Sequence, residues 1–152
     1  SDRDYHVKGM TWLDREWTSN GLAKDQEGWD WFGLHLDNKI DIMFYQLRLQ
    51  SGNIDSTSSG RMINGKNSIQ LNNENFQISV IDHWESPLTG IRYPSKWKLS
   101  IPNHGLELAI HPYISNQELT GLFRYWEGAV QINGTINGTP ITGSGYVELT
   151  GY

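Results

Sequence analysis

Apolar and polar residues alternate with a period of two along almost the whole chain of 152 residues. Because successive side chains of a strand point to opposite faces of a sheet, this alternation predicts strands, and no helical pattern of convincing length competes with it. We predict about nine strands with turns at regular spacing, which indicates an all-β barrel or sandwich. Long strands with mostly short connections favour an up-and-down antiparallel barrel. The predicted strands cover residues 7–17, 28–36, 40–49, 76–84, 97–101, 106–110, 123–132 and 141–149, with weaker strands near 61–63 and 68–71.

The connections between these strands are assigned from turn residues. Residues 37–39 form a tight turn that joins two strands into a hairpin, and residues 133–140 contain the turn of the last hairpin. Asn133-Gly134 and Asn137-Gly138 lie in glycosylation-type sequons, but Asn-Gly favours a hairpin turn. Residues 87–94 are predicted as a loop, and residues 113–121 as irregular chain with one helical turn around 116–119.

The predicted strand 28–36 is apolar on both faces. Trp29 and Trp31 point one way, whereas Phe32, Leu34 and Leu36 point the other. A closed barrel has one inner face and one solvent face, so this strand needs an additional covering layer. We expect a partner domain, a packed loop or a homodimer partner to supply it.

Composition narrows the classes of function. The length fits a single domain over residues 1–152. The net charge of −5 gives no electrostatic footprint for nucleic acid, and no apolar run approaches the roughly 20 residues of a membrane span, so neither nucleic-acid binding nor membrane insertion is expected. The chain has no cysteine and therefore no thiolate chemistry or disulfides. It opens with Ser1 rather than Met, and we expect a processed or excised piece.

Seven tryptophans, most of them beside a carboxylate, indicate the kind of site. Indoles are large, rigid and apolar, whereas acids normally stay in water. Their repeated combination in strands predicts an apolar cavity with a few polar groups, which is typical of a small-molecule site. The predicted ligand-binding residues are Trp12, Trp29, Trp31, His35, Arg48, Trp97 and Tyr125.

Three carboxylates are the candidate proton donors: Asp14, Glu16 and Glu127. On one face of a strand, Asp14 and Glu16 would lie about 7 Å apart, and burial would raise at least one pKa. The alternative is a structural ion pair with a nearby arginine. Asp30 shares a face with Phe32, so it lies at a rim, caps backbone N–H groups or is buried with a cation.

Metal and cofactor sites are not predicted. His83 and Glu85 share a face, but no third ligand is evident nearby. The sequence contains no phosphate-cradling loop, dinucleotide fingerprint or G-x-S-x-G elbow, and Gly143-Ser144-Gly145 lies in a strand rather than at such an elbow.

Ordered motifs carry a family resemblance over nearly the whole chain. They are W-L-D-R-E-W at 12–17, G-W-D-W-F-x-L-x-L-D at 28–37, M-x-Y-x-L-R at 43–48, Y-P-x-x-W at 93–97, Y-W-E-G-A-V at 125–130 and G-x-G-Y-x-E-L-T-G-Y at 143–152. This set resembles the C-terminal half of AttH-like, predicted secreted hydrolases of the carotenoid 1,2-hydratase (hydroxyneurosporene synthase) superfamily. The resemblance implies a lipocalin-like β-barrel, a further lipocalin-like barrel upstream and an extracytoplasmic location, periplasmic or secreted.

The resemblance also implies a chemistry. The best understood activity of the superfamily is acid-catalysed hydration of a terminal isoprenoid double bond, and related members cyclise polyenes. The hydratases resemble a D-H-N-W version of the first motif, whereas this chain has Asp14-Arg15-Glu16-Trp17. The second acid of the hydratases, near the end of the third strand, corresponds to Tyr45-Gln46-Leu47 in this chain.

Three functions follow as hypotheses. The first is a barrel that binds an elongated hydrophobic molecule such as a terpenoid, lipid or polyketide. The second is an acid-catalysed hydratase, isomerase or cyclase of isoprenoid or polyene substrates. The third is a structural barrel that supports a second, catalytic barrel.

Overall fold

The computed structural model describes residues 3–14, 21–121 and 124–152, and the strands within these ranges form one long antiparallel sheet. Within these ranges no helix is long and apolar enough to cross a membrane. A single 3-10 turn at Pro102–His104 joins two strands. The strands are β1 Gln26–Leu36, β2 Ile40–Leu49, β3 Ser59–Asn64, β4 Asn67–Asn72, β5 Gln77–Glu85, β6 Arg92–Ile101, β7 Leu106–Pro112, β8 Glu118–Thr120, β9 Arg124–Ile136 and β10 Thr139–Leu149.

The sheet confirms the predicted all-β, lipocalin-like architecture. Its strand order is β4-β3-β2-β1-β10-β9-β7-β6-β5, with β8 paired to β9, and every pair is antiparallel. The sheet curls into a half-barrel whose two edges are β4 and β5. No ladder joins these two edges among the described residues.

Aromatic rings fill the concave side of the curled sheet. Phe32 stacks on Phe44 at 4.5 Å between ring centroids and meets the edge of Trp97 at 5.6 Å. Trp97 in turn lies 6.1 Å from Trp126, and Phe76 lies 5.2 Å from Phe44. All five rings are buried, so the interior that the sequence predicted as a cavity is, along this row, packed by its own side chains.

The two faces of β1 divide as predicted. Phe32, Leu34 and Leu36 are fully buried on the inner face, whereas Trp29 and Trp31 are half-buried on the outer face. Trp12 of the N-terminal segment packs edge-on against Trp31 with ring centroids 5.8 Å apart. A packed segment of the same chain therefore supplies part of the covering layer.

The first predicted strand is wrong over residues 7–14, which form no strand, and residues 15–17 lie outside the described ranges. Both edges of β1 are occupied by β2 and β10, so the segment finds no free edge there and crosses the outer face instead. Alternation in sequence is not sufficient for a strand when the strand that the segment packs against has no free edge.

Three connections also differ from the prediction. Residues around 116–119 form no helical turn, because Glu118–Thr120 pairs with β9 as strand β8. The last hairpin turns within the predicted range 133–140, at Asn137-Gly138, where both φ angles are positive, but Asn133 lies inside β9 rather than at a turn. The loop predicted at 87–94 ends earlier, because β6 begins at Arg92.

The two buried indoles of the interior differ in one hydrogen bond. Trp126 donates its Nε1–H to the Ser115 carbonyl at 2.8 Å, whereas the Trp97 Nε1–H has no acceptor within the described part of the chain. We expect Trp126→Phe to cost about 0.5–1.5 kcal/mol more stability than Trp97→Phe, because only the first removes a hydrogen bond. Urea denaturation of both variants measures the difference. Equal losses would contradict this assignment.

Candidate functional site

A pocket of about 730 Å³ lies on the outer face of β1, β10 and β9. Small residues, Gly33, Ala129 and Gly145, form part of its lining. A Cβ at Gly33 would lie 2.5 Å from the Trp31 ring and 3.1 Å from the Trp12 ring. Glycine is therefore required here for both indoles to lie close over the sheet. We call this site the outer pocket.

Apolar and aromatic side chains surround the small floor of the outer pocket. Trp12 and Met10 come from the N-terminal segment, Trp31 from β1 and Tyr146 from β10, and Tyr113 follows β7. Because these residues come from separate parts of the chain, the aromatic wall exists only when the sheet and the N-terminal segment are in place.

Carboxylates and hydrogen-bonding groups complete the lining. The Trp12 Nε1–H donates to Asp14 at 2.8 Å, which holds that carboxylate against the indole wall. His35 Nδ1 is paired with Asp41 Oδ1. Tyr146 is hydrogen-bonded to Glu127; burial, then the negative charge of Glu127 and this hydrogen bond, raise the pKa of Tyr146.

The outer pocket gathers half of the residues that the sequence predicted for the site. Trp12, Asp14, Trp31, His35 and Glu127 all line it, although they are spread over more than a hundred positions of the chain. The lining also includes residues that the sequence analysis missed: Asp41, Ser144, Tyr146 and Glu148.

Four predicted site residues lie elsewhere. Trp29 lies on the same outer face beside the outer pocket, donates to Glu148 at 2.8 Å and has its ring 6.4 Å from that of Tyr125. Trp97 is buried on the opposite face of the sheet. Arg48 lies at one end of the half-barrel. Glu16 lies outside the described residues.

Arg48 is held in a buried ion pair at that end of the half-barrel. Its Nε lies 3.1 Å from Asp30 Oδ1, and its guanidinium lies 3.9 Å from the centroid of the Tyr152 ring. The Tyr152 hydroxyl donates to Asp30 at 2.9 Å. Burial raises the pKa of Asp30 although Arg48 and Tyr152 act to lower it. Of the alternatives for Asp30, burial with a cation is the one found.

Glu118 forms a second polar cluster at the same end. It accepts hydrogen bonds from Ser86, from Thr89 at 2.7 Å and from Tyr93 at 2.9 Å. Burial acts to raise the pKa of Glu118, but these hydrogen bonds and the charge of Arg124 lower it overall. Burial and the contact with Glu118 raise the pKa of Tyr93 to about 12. These groups satisfy one another and join β6 to β8.

The residues that bind metals in proteins do not converge here. Within the described ranges, no group of three or more His, Cys, Asp or Glu side chains is arranged to hold a metal ion.

Sequence comparison identifies a family and a related protein. A family model described as AttH-like matches residues 1–152. Kievitone hydratase of Fusarium solani subsp. phaseoli is 26% identical over 153 residues, which cover 94% of this chain and 41% of that protein. The chain thus spans about two fifths of the length of this relative.

Solved structures show the same fold. The crystal structure of a protein described as an AttH from Nitrosomonas europaea matches with a TM-score of 0.77 and 30% identity, over 90% of this chain and 42% of that one. Kievitone hydratase from Nectria haematococca matches with a TM-score of 0.69 and 22% identity, over 82% of this chain and 39% of that one. The AttH-like part of the predicted resemblance is confirmed, and the carotenoid hydratase part stays a prediction.

The ion pair of Arg48 gives a stability prediction. Arg48→Met leaves the Asp30 carboxylate buried without its cation, so we expect a loss of about 3–5 kcal/mol. Combining it with Asp30→Asn removes the stranded charge, so the double variant is expected to lose less than the sum of the two single losses. Urea denaturation provides the double-mutant cycle.

The control is Glu27→Gln. Glu27 lies 3.8 Å from Arg48 with a side chain that is half exposed, so this change is expected to cost under about 1 kcal/mol. Additive losses for Asp30 and Arg48 would contradict the coupling.

Proposed function

Because the chain belongs to the AttH-like family, we propose that the outer pocket binds an elongated apolar small molecule. The single observation that carries this proposal is the convergence of Trp12, Trp31 and Tyr146 around one pocket of about 730 Å³. That volume lies in the range of sites for drug-sized ligands. The proposal places the ligand on the outer face, since aromatic rings pack against one another in the interior.

Burial against indole faces supplies the binding energy. A buried aromatic side chain removes roughly 150–250 Å² from water, and each Å² contributes about 25 cal/mol. The planes of Trp12 and Trp31 meet at 73°, so a flat or chain-like ligand can contact both indoles at once. The floor at Gly33 and Ala129 leaves the space for it.

Filling the floor tests the location of the site. We expect Ala129→Phe to weaken binding of the neutral probe N-phenyl-1-naphthylamine at least tenfold, because the new ring occupies the outer pocket. The matched control is Ala109→Phe, which places the same ring on the outer face of β7, in a separate groove. Fluorescence titration measures both. Equal weakening in the two variants, or none in either, would contradict this location.

A second candidate function is acid-catalysed hydration of an alkene, favoured by Glu127 and its hydrogen bond with Tyr146 beside the indole wall. The relative from Fusarium solani is described as a hydratase. In this proposal the carboxylic acid of Glu127 or Asp14 protonates one alkene carbon, and the aromatic faces stabilise the resulting cation. Water then adds to the cation and releases one proton.

Oxygen-18 water tests the hydration. We expect incubation of the chain with a terminal isoprenoid alkene to give an alcohol that carries one labelled oxygen, detected by mass spectrometry. Glu127→Gln is expected to lower the rate about 10²–10⁴-fold, because the amide cannot supply the proton. Glu74→Gln is the control, since this acid does not line the outer pocket. Absence of label with the unmodified chain would sink the hydratase proposal while leaving the binding proposal standing.

The greater length of a relative bears on the role of this chain within a whole protein. Kievitone hydratase of Fusarium solani is more than twice as long as this chain. From the family resemblance we also propose that this chain has a structural role beside an upstream lipocalin-like barrel or in a homodimer. The same holds for an extracytoplasmic location.

A further inference from the structure

Three polar side chains form a row across three neighbouring strands at one end of the outer pocket. Ser144 of β10 lies directly opposite His35 of β1, and His35 lies directly opposite Asp41 of β2. Directly opposed residues have Cβ atoms about 4.5–5.5 Å apart, so the three side chains are neighbours. All three line the outer pocket.

The pairing of His35 with Asp41 fixes which ring nitrogen faces a ligand. An ionised carboxylate only accepts hydrogen bonds, so His35 Nδ1 donates to Asp41 Oδ1. In the neutral imidazole Nε2 then carries the lone pair and accepts a hydrogen bond. The Ser144 hydroxyl beside it both donates and accepts. Together they complement a hydroxyl group, which has one donor and two acceptor positions.

The charge of the outer pocket narrows the ligand class further. Its described lining contains four carboxylates, Asp14, Asp41, Glu127 and Glu148, and neither lysine nor arginine. Like charges repel, so a carboxylate or phosphate head group is disfavoured. A neutral hydroxyl remains the group that the row accommodates.

The row and Glu127 lie at opposite ends of the outer pocket. Glu127 is opposite Glu148 in the ladder between β9 and β10, and Glu148 is four residues from Ser144. At about 3.4 Å per residue, this separation is about 14 Å along the strand. A ligand that reaches both ends must therefore be elongated.

We propose that His35, oriented by Asp41 and assisted by Ser144, is a subsite that binds the hydroxylated head of an elongated, uncharged amphiphile. The apolar tail then runs over Gly33 and Ala129 toward Glu127. This inference rests on the proposed function of the same outer pocket and deepens it by naming the ligand class.

A pair of probes that differ in one hydroxyl hydrogen tests the subsite. 4-Hexylphenol donates a hydrogen bond from its head, and its methyl ether 4-hexylanisole does not. We expect the unmodified chain to bind the phenol about tenfold more tightly, measured by quenching of tryptophan fluorescence and checked by calorimetry. 4-Hexylbenzoate is expected to bind more weakly than either.

Variants assign the difference to the row. In the His35→Leu variant we expect the phenol and the ether to bind equally tightly. The affinity for 4-hexylanisole is expected to stay within twofold of that of the unmodified chain. His35→Gln retains an acceptor and is expected to keep about threefold preference, which guards against a folding defect of the leucine variant. The matched control is His111→Leu, since His111 of β7 lies in the separate groove and its loss should leave the tenfold preference unchanged.

The outcomes separate the two proposals. Equal affinity for phenol and ether in the unmodified chain, or a preference that survives His35→Leu, overturns the subsite while the binding function stands. Failure of both probes to bind overturns the binding function, and the subsite with it.

Discussion

The alternation of β1 is the constraint on which the rest of the structure depends. One strand presents Phe32, Leu34 and Leu36 to the interior and Trp31, Gly33 and His35 to the outer face. Because β1 is flanked by β2 and β10 on both edges, neither face can rotate without breaking two ladders. The packing of the interior therefore fixes the position of every β1 side chain in the outer pocket.

The arrangement separates stability from recognition. The interior is closed by rings that contact one another, and one end is fixed by Asp30, Arg48 and Tyr152. The four carboxylates of the outer pocket, whose described lining has neither lysine nor arginine, lie instead on the outer face. The N-terminal segment that carries Trp12 covers this face in part. A charged wall of this kind is tolerable because it is partly exposed, and it repels anions.

Local sequence patterns predicted most of the fold and part of the outer pocket. The turn at 37–39 with its flanking alternation predicted the first hairpin correctly, and β2 has the bounds that the sequence predicted. The same hairpin would also have placed Asp41 opposite His35. Ser144 and Tyr146 were missed because β10 joins β1 across more than a hundred residues, and no local pattern encodes that register. Trp97 was expected at a ligand, but alternation alone does not distinguish a wall of a cavity from the filling of a core.

The open seam between β4 and β5 has a consequence for motion. No ladder joins β4 to β5, and Phe76, just before β5, packs instead on Phe44 of β2, whereas every other pair of neighbours in the strand order shares backbone hydrogen bonds in the described sheet. Contacts of this kind yield at lower cost than a ladder, so slow breathing of the molecule should start at this seam. At least one strand lies between each edge of the seam and the strands that line the outer pocket, so the interior is expected to loosen transiently while the ligand-facing surface keeps its shape.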